Sequence, residues 1–176
     1  MKILKTFLFV LIALVVIALV IGFFMPSHMQ VDRAIEINAP VDKVFAQIND
    51  LKNWEQWSPW HQMDKKMKID YAAQSSGTGA FYVWNSNNKN VGSGKLTITE
   101  SVPNEFVKTA MDFGDKGSGS AVFKFEKLST GTKVNWSMES DMGNNPFMKL
   151  LGPMMETMIG KSFEEGLGSL KSLCEK

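Results

Sequence analysis

The chain has 176 residues, 44% hydrophobic and 21% charged, with a formal net charge of +1. Apart from Lys2 and Lys5, which precede a long apolar run, it is close to neutral with scattered charges, which excludes a basic footprint for nucleic acid. A single cysteine, Cys174, excludes an intramolecular disulfide, and with His28 and His61 as the only histidines no metal site and no cofactor are expected.

Met1–Met25 opens with two lysines and then runs from Thr6 to Met25 without a charge. That is long enough to cross a bilayer as a helix. A cleaved signal peptide would have a shorter apolar region ending in small residues. The exit here is Gly22-Phe23-Phe24-Met25-Pro26, so an uncleaved anchor over 1–26 is expected, with Phe7–Met25 in contact with membrane lipid. Lys2 and Lys5 on one side and Asp32, Arg33 and Glu36 on the other put the N-terminus in the cytoplasm and the rest outside it. Ser27–Gln30 is read as a short linker, and 31–176 as one domain.

Val31–Asn38 alternates, with Ile35 and Ile37 on one face, and is expected to be a strand that Ala39-Pro40 ends. Val44, Phe45 and Ile48 fall at helical spacing within Val41–Asn49. Asp50 is placed to cap a second short helix, Leu51–Trp57, which Ser58-Pro59 should end. Strands are then expected over Met67–Ala73, Ala80–Asn85, Val91–Glu100, Glu105–Phe113, Ser120–Lys127 and Lys133–Glu139. Glycine-rich or polar turns join them, making an antiparallel meander with one apolar, aromatic face. The first strand, cut off from the meander by helices, must join it out of sequence order.

Asn145–Lys176 places Phe147, Leu150, Leu151, Met154, Met155, Met158, Ile159, Phe163, Leu167, Leu170 and Leu173 at steps of three and four, a broad apolar helix face. Pro153 should kink or break this helix near Leu150. Gly152, Gly160, Gly166 and Gly168 each weaken a helix by about 1 kcal/mol relative to Ala. Their presence argues for close approach to the sheet, or for room left for something else. A meander followed by a long amphipathic helix predicts an α+β domain in which a curved sheet closes around that helix.

Four fragments carry a family resemblance: Ile35–Phe45 around Ala39-Pro40, the Trp54-Glu55-Gln56-Trp57-Ser58-Pro59-Trp60 stretch, Gly131–Trp136 and Phe163–Lys171. Together they resemble the START/Bet v 1-like (SRPBCC) superfamily in its polyketide cyclase/dehydrase-like branch, over about residues 31–175. The resemblance implies a helix-grip fold: a seven-stranded antiparallel sheet around a long C-terminal helix, with short helices after the first strand. It also implies a cavity between sheet and helix that in relatives holds lipids, sterols, polyketides or other apolar molecules. It implies no single reaction.

The candidate cavity residues are Trp57, Trp60, Tyr71, Tyr82, Trp84, Met111, Phe123, Trp136, Met138, Met154, Met158 and Phe163, which share the inner face of the strands, the Trp cluster or the final helix. An ordinary core has the same make-up as such a pocket. Trp54, Trp57 and Trp60 either plug one end of the sheet or form the lid of a site. No catalytic residue is assigned: His61 has no motif around it, and Gly92-Ser93-Gly94 lacks the features of a phosphate loop. The leading expectation is binding of a small apolar or lipid-like ligand without catalysis. Rivals are a cyclase/dehydrase-type enzyme using Tyr71, Tyr82 or Arg33, and a structural or partner-binding envelope module with a filled core.

Overall fold

The computed structural model describes residues 2–114 and 117–176. Helix α1 (Lys2–Phe24) is long and apolar enough to cross a membrane, and its side chains are almost all exposed. Strand β1 (His28–Ile37) follows after only three residues. The expected linker is therefore mostly strand, because β1 pairs with the last strand from its first residue. Helix α2 (Val41–Asn49) buries Val44 and Ile48, and Pro40 sits at its N-cap position. Asp50 caps a single turn, Leu51–Asn53, by accepting from the Lys52 N–H, and α3 (Trp54–Trp57) continues it.

Ser58-Pro59 does not end the helical region. It breaks it and starts another helix, α4 (Pro59–Met63), with Pro59 in the first turn, where its missing N–H is no loss. Strands β2 (Lys68–Tyr71), β3 (Phe81–Asn85), β4 (Ser93–Val102), β5 (Phe106–Asp112), β6 (Ser118–Leu128) and β7 (Gly131–Asp141) form the meander. The antiparallel sheet has seven strands in the order β1-β7-β6-β5-β4-β3-β2, so β1 adds to the meander's late edge. A register shift between Ile98 and Glu100 marks a bulge in β4, which bends a sheet.

The inner face carries Val31, Ile37, Tyr82, Trp84, Leu96, Ile98, Val107, Ala121, Phe123, Val134 and Trp136, all buried. Helix α5 (Pro146–Cys174), capped by Asn145, lies against this face with Phe163, Leu167, Leu170 and Cys174 buried. It runs in the same direction as β1. Arg33 bonds Glu164, the Glu36 carbonyl accepts from Lys171, and the Asn38 N–H donates to Glu175. Helix α5 is continuous through Pro153. The proline lies on the exposed side, where its ring has room, and the Thr157 hydroxyl donates to its carbonyl at 2.9 Å.

Three of the four α5 glycines are sites of close approach. A Cβ on Gly166 would lie 2.8 Å from Pro59 and 3.1 Å from the Trp136 ring. One on Gly160 would collide with the Arg33 guanidinium, and one on Gly152 would touch the Met142 methyl. Gly168 faces open space.

Candidate functional site

Between the sheet and α5 lies an apolar cavity of about 160 Å³. Tyr82, Trp84, Leu96, Thr109, Met111, Ala121, Trp136 and Met138 line it from the strands; Trp54, Trp60 and His61 from α3 and α4; Ile159 and Phe163 from α5. Met67, Val91 and Phe113, in connecting segments, complete the wall. An engineered protein cavity of about 150 Å³ takes up benzene, so this space accepts one ring or a short chain segment.

The strand register locates the cavity along the domain. His28 pairs with Asp141, Asp112 with Ser118 and with Lys95, and Asn85 with Ser93 and with Lys68. These pairs mark one edge of the sheet, the edge at which β1 leaves α1. Trp84, Met111 and Met138 lie one to three residues from that edge, and Val91 and Phe113 lie in the turns there. The cavity therefore sits in the half of the domain nearest α1.

The inner end is closed by aromatic packing. The Trp136 ring stacks on Phe163, with centroids 3.8 Å apart and planes 7° apart, and on Phe123 at 4.6 Å on its other side. Trp54 and Trp57 pack edge-on to Phe123, and their N–H groups donate to the carbonyls of Ile48 and Gln47. Trp60 stands edge-on to both Trp136 and Phe163.

Of the sequence candidates, Trp60, Tyr82, Trp84, Met111, Trp136, Met138 and Phe163 line the cavity. Trp57 and Phe123 lie behind the wall, fully buried in the plug. Tyr71 lies in an adjoining groove, where its hydroxyl donates to Glu55 at 2.7 Å. Met154 and Met158 are corrected: they are 56% and 57% exposed and point away from the sheet. The broad apolar stripe of α5 covers more than one face, and Gly152, Ile159, Gly160 and Phe163 form the inward part. Arg33 is also outside the cavity wall, held across α5 by Glu164 at 2.7 Å.

The candidate list missed Trp54, named in the sequence only as part of the tryptophan cluster, and His61, Met67, Val91, Leu96, Thr109, Phe113, Ala121 and Ile159. Strand parity alone would have found Leu96, Thr109 and Ala121. Val91 and Phe113 lie in turns with no periodicity to read.

Burial pushes both titratable groups of the cavity wall, His61 and Tyr82, toward their neutral forms. Burial pushes the Tyr82 phenol well above its usual range. Burial, followed by the bond to Glu55, does the same to Tyr71. His61 is 6% exposed, its ring 5.9 Å from Tyr82, and neither ring nitrogen has a hydrogen-bond partner. Burial lowers its pKa, opposed in part by the Glu55 carboxylate. An unfolded histidine takes up a proton as pH falls below about 6.5, whereas the folded chain resists it. The unfolded state therefore binds more protons below that pH, so stability should decline from about pH 6.5 downward until the lowered folded value is passed. Thermal unfolding between pH 7.5 and 5 should show this decline in the wild type, and His61→Phe should flatten that part of the curve. The Trp136 N–H is likewise buried without a partner. No group of three metal-ligating side chains occurs among the described residues.

A curved antiparallel sheet closed over a C-terminal helix, with an apolar pocket between them, defines a helix-grip domain. The chain belongs to the family described as polyketide cyclase/dehydrase and lipid transport, whose model matches residues 28–175, and so to the SRPBCC superfamily. A solved Staphylococcus aureus protein of unknown function is similar, with a TM-score of 0.65 at 15% identity over 84% of this chain and 94% of that one. A Bacillus halodurans protein aligns at 0.63, with 14% identity over 85% of this chain and 100% of that one. The Aha1 dimer from Colwellia psychrerythraea aligns at 0.60, with 17% identity over 83% and 96%. At these identities the likeness is one of fold. No curated protein sequence matches the chain.

Proposed function

We propose that the domain binds a small, largely apolar molecule in the cavity between sheet and α5, without turning it over, and that α1 holds it at a membrane. The observation that carries this reading is the cavity itself. Sixteen residues enclose it, and its walls are aromatic, aliphatic or thioether apart from His61, Thr109 and the Tyr82 hydroxyl. Apolar pockets with few polar groups are the usual form of small-molecule sites. The volume fits a ring or one end of a chain, so a lipid-like ligand would insert a terminus and leave the rest toward the α1 end of the domain.

The family description includes lipid transport, which favours the same class of ligand. With Lys2 and Lys5 at the start of α1, ahead of its uncharged run, the positive-inside rule favours an N-terminus in the cytoplasm and residues 27–176 outside it.

Ala121 lines the cavity and carries the smallest side chain on its wall. Ala121→Phe adds one benzene-sized group to a benzene-sized space. Displacement of a solvatochromic apolar dye, measured on the full chain in nanodiscs, should show affinity at least tenfold weaker in Ala121→Phe. An unchanged dye affinity in a folded Ala121→Phe protein would remove the cavity from the reading. Retention of the wild-type chain in the pellet after alkaline carbonate extraction tests the anchor. Mass spectrometry of small molecules that copurify with it tests the ligand class.

The second reading is a cyclase- or dehydrase-type reaction, favoured by His61 beside Tyr82 in the wall. It requires His61 as base and Tyr82 as acid. No hydrogen bond orients the imidazole here, which is why binding is preferred.

A further inference from the structure

Helix α5 presents two different outward faces in succession. Over its first half, Phe147, Met154 and Met158 are 58%, 56% and 57% exposed, and Leu151 beside them is half-buried. Steps of four, three and four residues put these side chains in one stripe. At 1.5 Å per residue the stripe is about 17 Å long. Beyond Gly160 the outward positions are Lys161, Glu164, Glu165 and Ser172. The apolar face is therefore confined to the end of α5 nearest α1.

The two helices meet at that end. Gly22 is buried against Pro146 and Leu150, where any Cβ would collide with the Pro146 carbonyl. The Lys149 ammonium donates to the Phe23 carbonyl at 3.4 Å. Leu150, which touches α1, is followed one helical turn on by Met154, so the stripe continues the exposed apolar surface of α1 that ends in Phe23 and Phe24. Only Met25–Ser27 separate α1 from β1, and three residues extend at most about 10 Å. The Ser27 carbonyl also accepts from Met142, just before α5. The domain has no slack with which to stand away from the end of α1.

We infer that the first three turns of α5 rest in the bilayer interface, with Phe147, Leu151, Met154 and Met158 inserted at the headgroup–acyl boundary. The cavity half of the domain then lies against the lipid. This rests on the reading of α1 as a membrane anchor and is independent of which molecule the cavity takes. An apolar stripe with polar residues behind it is the form of a helix that lies in the interface.

The test uses the full chain reconstituted in phosphatidylcholine/phosphatidylglycerol (3:1) vesicles. An NBD fluorophore is attached at Met154→Cys, Met158→Cys or, as a control on the far half, Ser172→Cys. Cys174 is 1% exposed and should not label. Emission at 154 and 158 should be blue-shifted relative to 172. A lipid doxyl-labelled near the headgroup should quench it at least twofold more strongly.

Equal quenching at all three sites, in protein that resists carbonate extraction, overturns the inference while leaving the anchor intact. Release of the wild-type chain by carbonate overturns both together. A blue shift that doxyl lipid does not quench, and that vanishes on dilution of protein in lipid, overturns it in favour of contact with a second copy. Dye affinity in Ala121→Phe reads the cavity separately. A Met154→Glu/Met158→Glu protein should keep the wild-type Tm, because both side chains are outside the core.

Discussion

Phe163→Ala should be among the most destabilising single truncations in the domain. The Phe163 ring is fully buried, stacked 3.8 Å from Trp136 and edge-on to Trp60. Removing a buried aromatic ring costs about 3–5 kcal/mol through lost transfer free energy and the void left behind. For a domain of this size each 1 kcal/mol shifts Tm by about 2–4 °C, so a fall of roughly 6–20 °C is expected in calorimetry. The void would join the existing cavity, since Phe163 is part of its wall. The variant should therefore admit a larger dye than the wild type, provided binding is measured below its lowered Tm. A Tm within 2 °C of wild type would contradict the stacked arrangement of α5 on β7.

Gly166→Val should be the second large effect, and Gly168→Ala its opposite. A Cβ on Gly166 meets Pro59 at 2.8 Å and Trp136 at 3.1 Å. One partner is a rigid ring on α4 and the other is fixed between two aromatic neighbours, so neither gives way. Overpacking of this kind costs about 1–3 kcal/mol, and the branched Val should fall at the upper end. Gly168 is two residues on, with nothing within 4 Å of its Cβ position. Alanine there should stabilise by up to about 1 kcal/mol through helix propensity alone. Denaturant melts of the two variants should move the midpoint in opposite directions. Parallel shifts would mean that α5 does not lie on α4 and β7 as described.

The fold was legible because its signals are periodic. Alternation in β1, β6 and β7 put Ile37, Phe123 and Trp136 on one face, and the steps of three and four from Phe147 onward marked α5. The quoted Trp54–Trp60 and Phe163–Lys171 fragments placed these elements within one superfamily.

The site was legible only in part. Helical period groups the apolar residues of α5 but does not say which side meets the sheet when apolar residues occupy more than one side. Met154 and Met158 were therefore assigned inward, although Gly152 and Gly160 are the positions that approach the rest of the fold. His61 escaped because α4 is five residues long, too short to show a period, and begins at a proline that sequence alone reads as an end. Val91 and Phe113 close the wall from turns, whose side-chain directions depend on tertiary packing.

The pairing of His28 with Asp141 has a consequence for biosynthesis. The strand that leaves α1 is made first, yet its hydrogen-bonding neighbour is the last strand of the chain. While the ribosome adds everything in between, β1 has an unsatisfied backbone edge beside a nascent hydrophobic segment. Closure by such a sequence-distant partner is slow and exposes intermediates to aggregation. The hairpins from β2 to β7 join sequence neighbours, but β1 cannot pair until β7 has been made. Closure of the sheet by β1 should therefore be a late event, after β7 has emerged, and truncation before β7 should leave β1 without its partner strand.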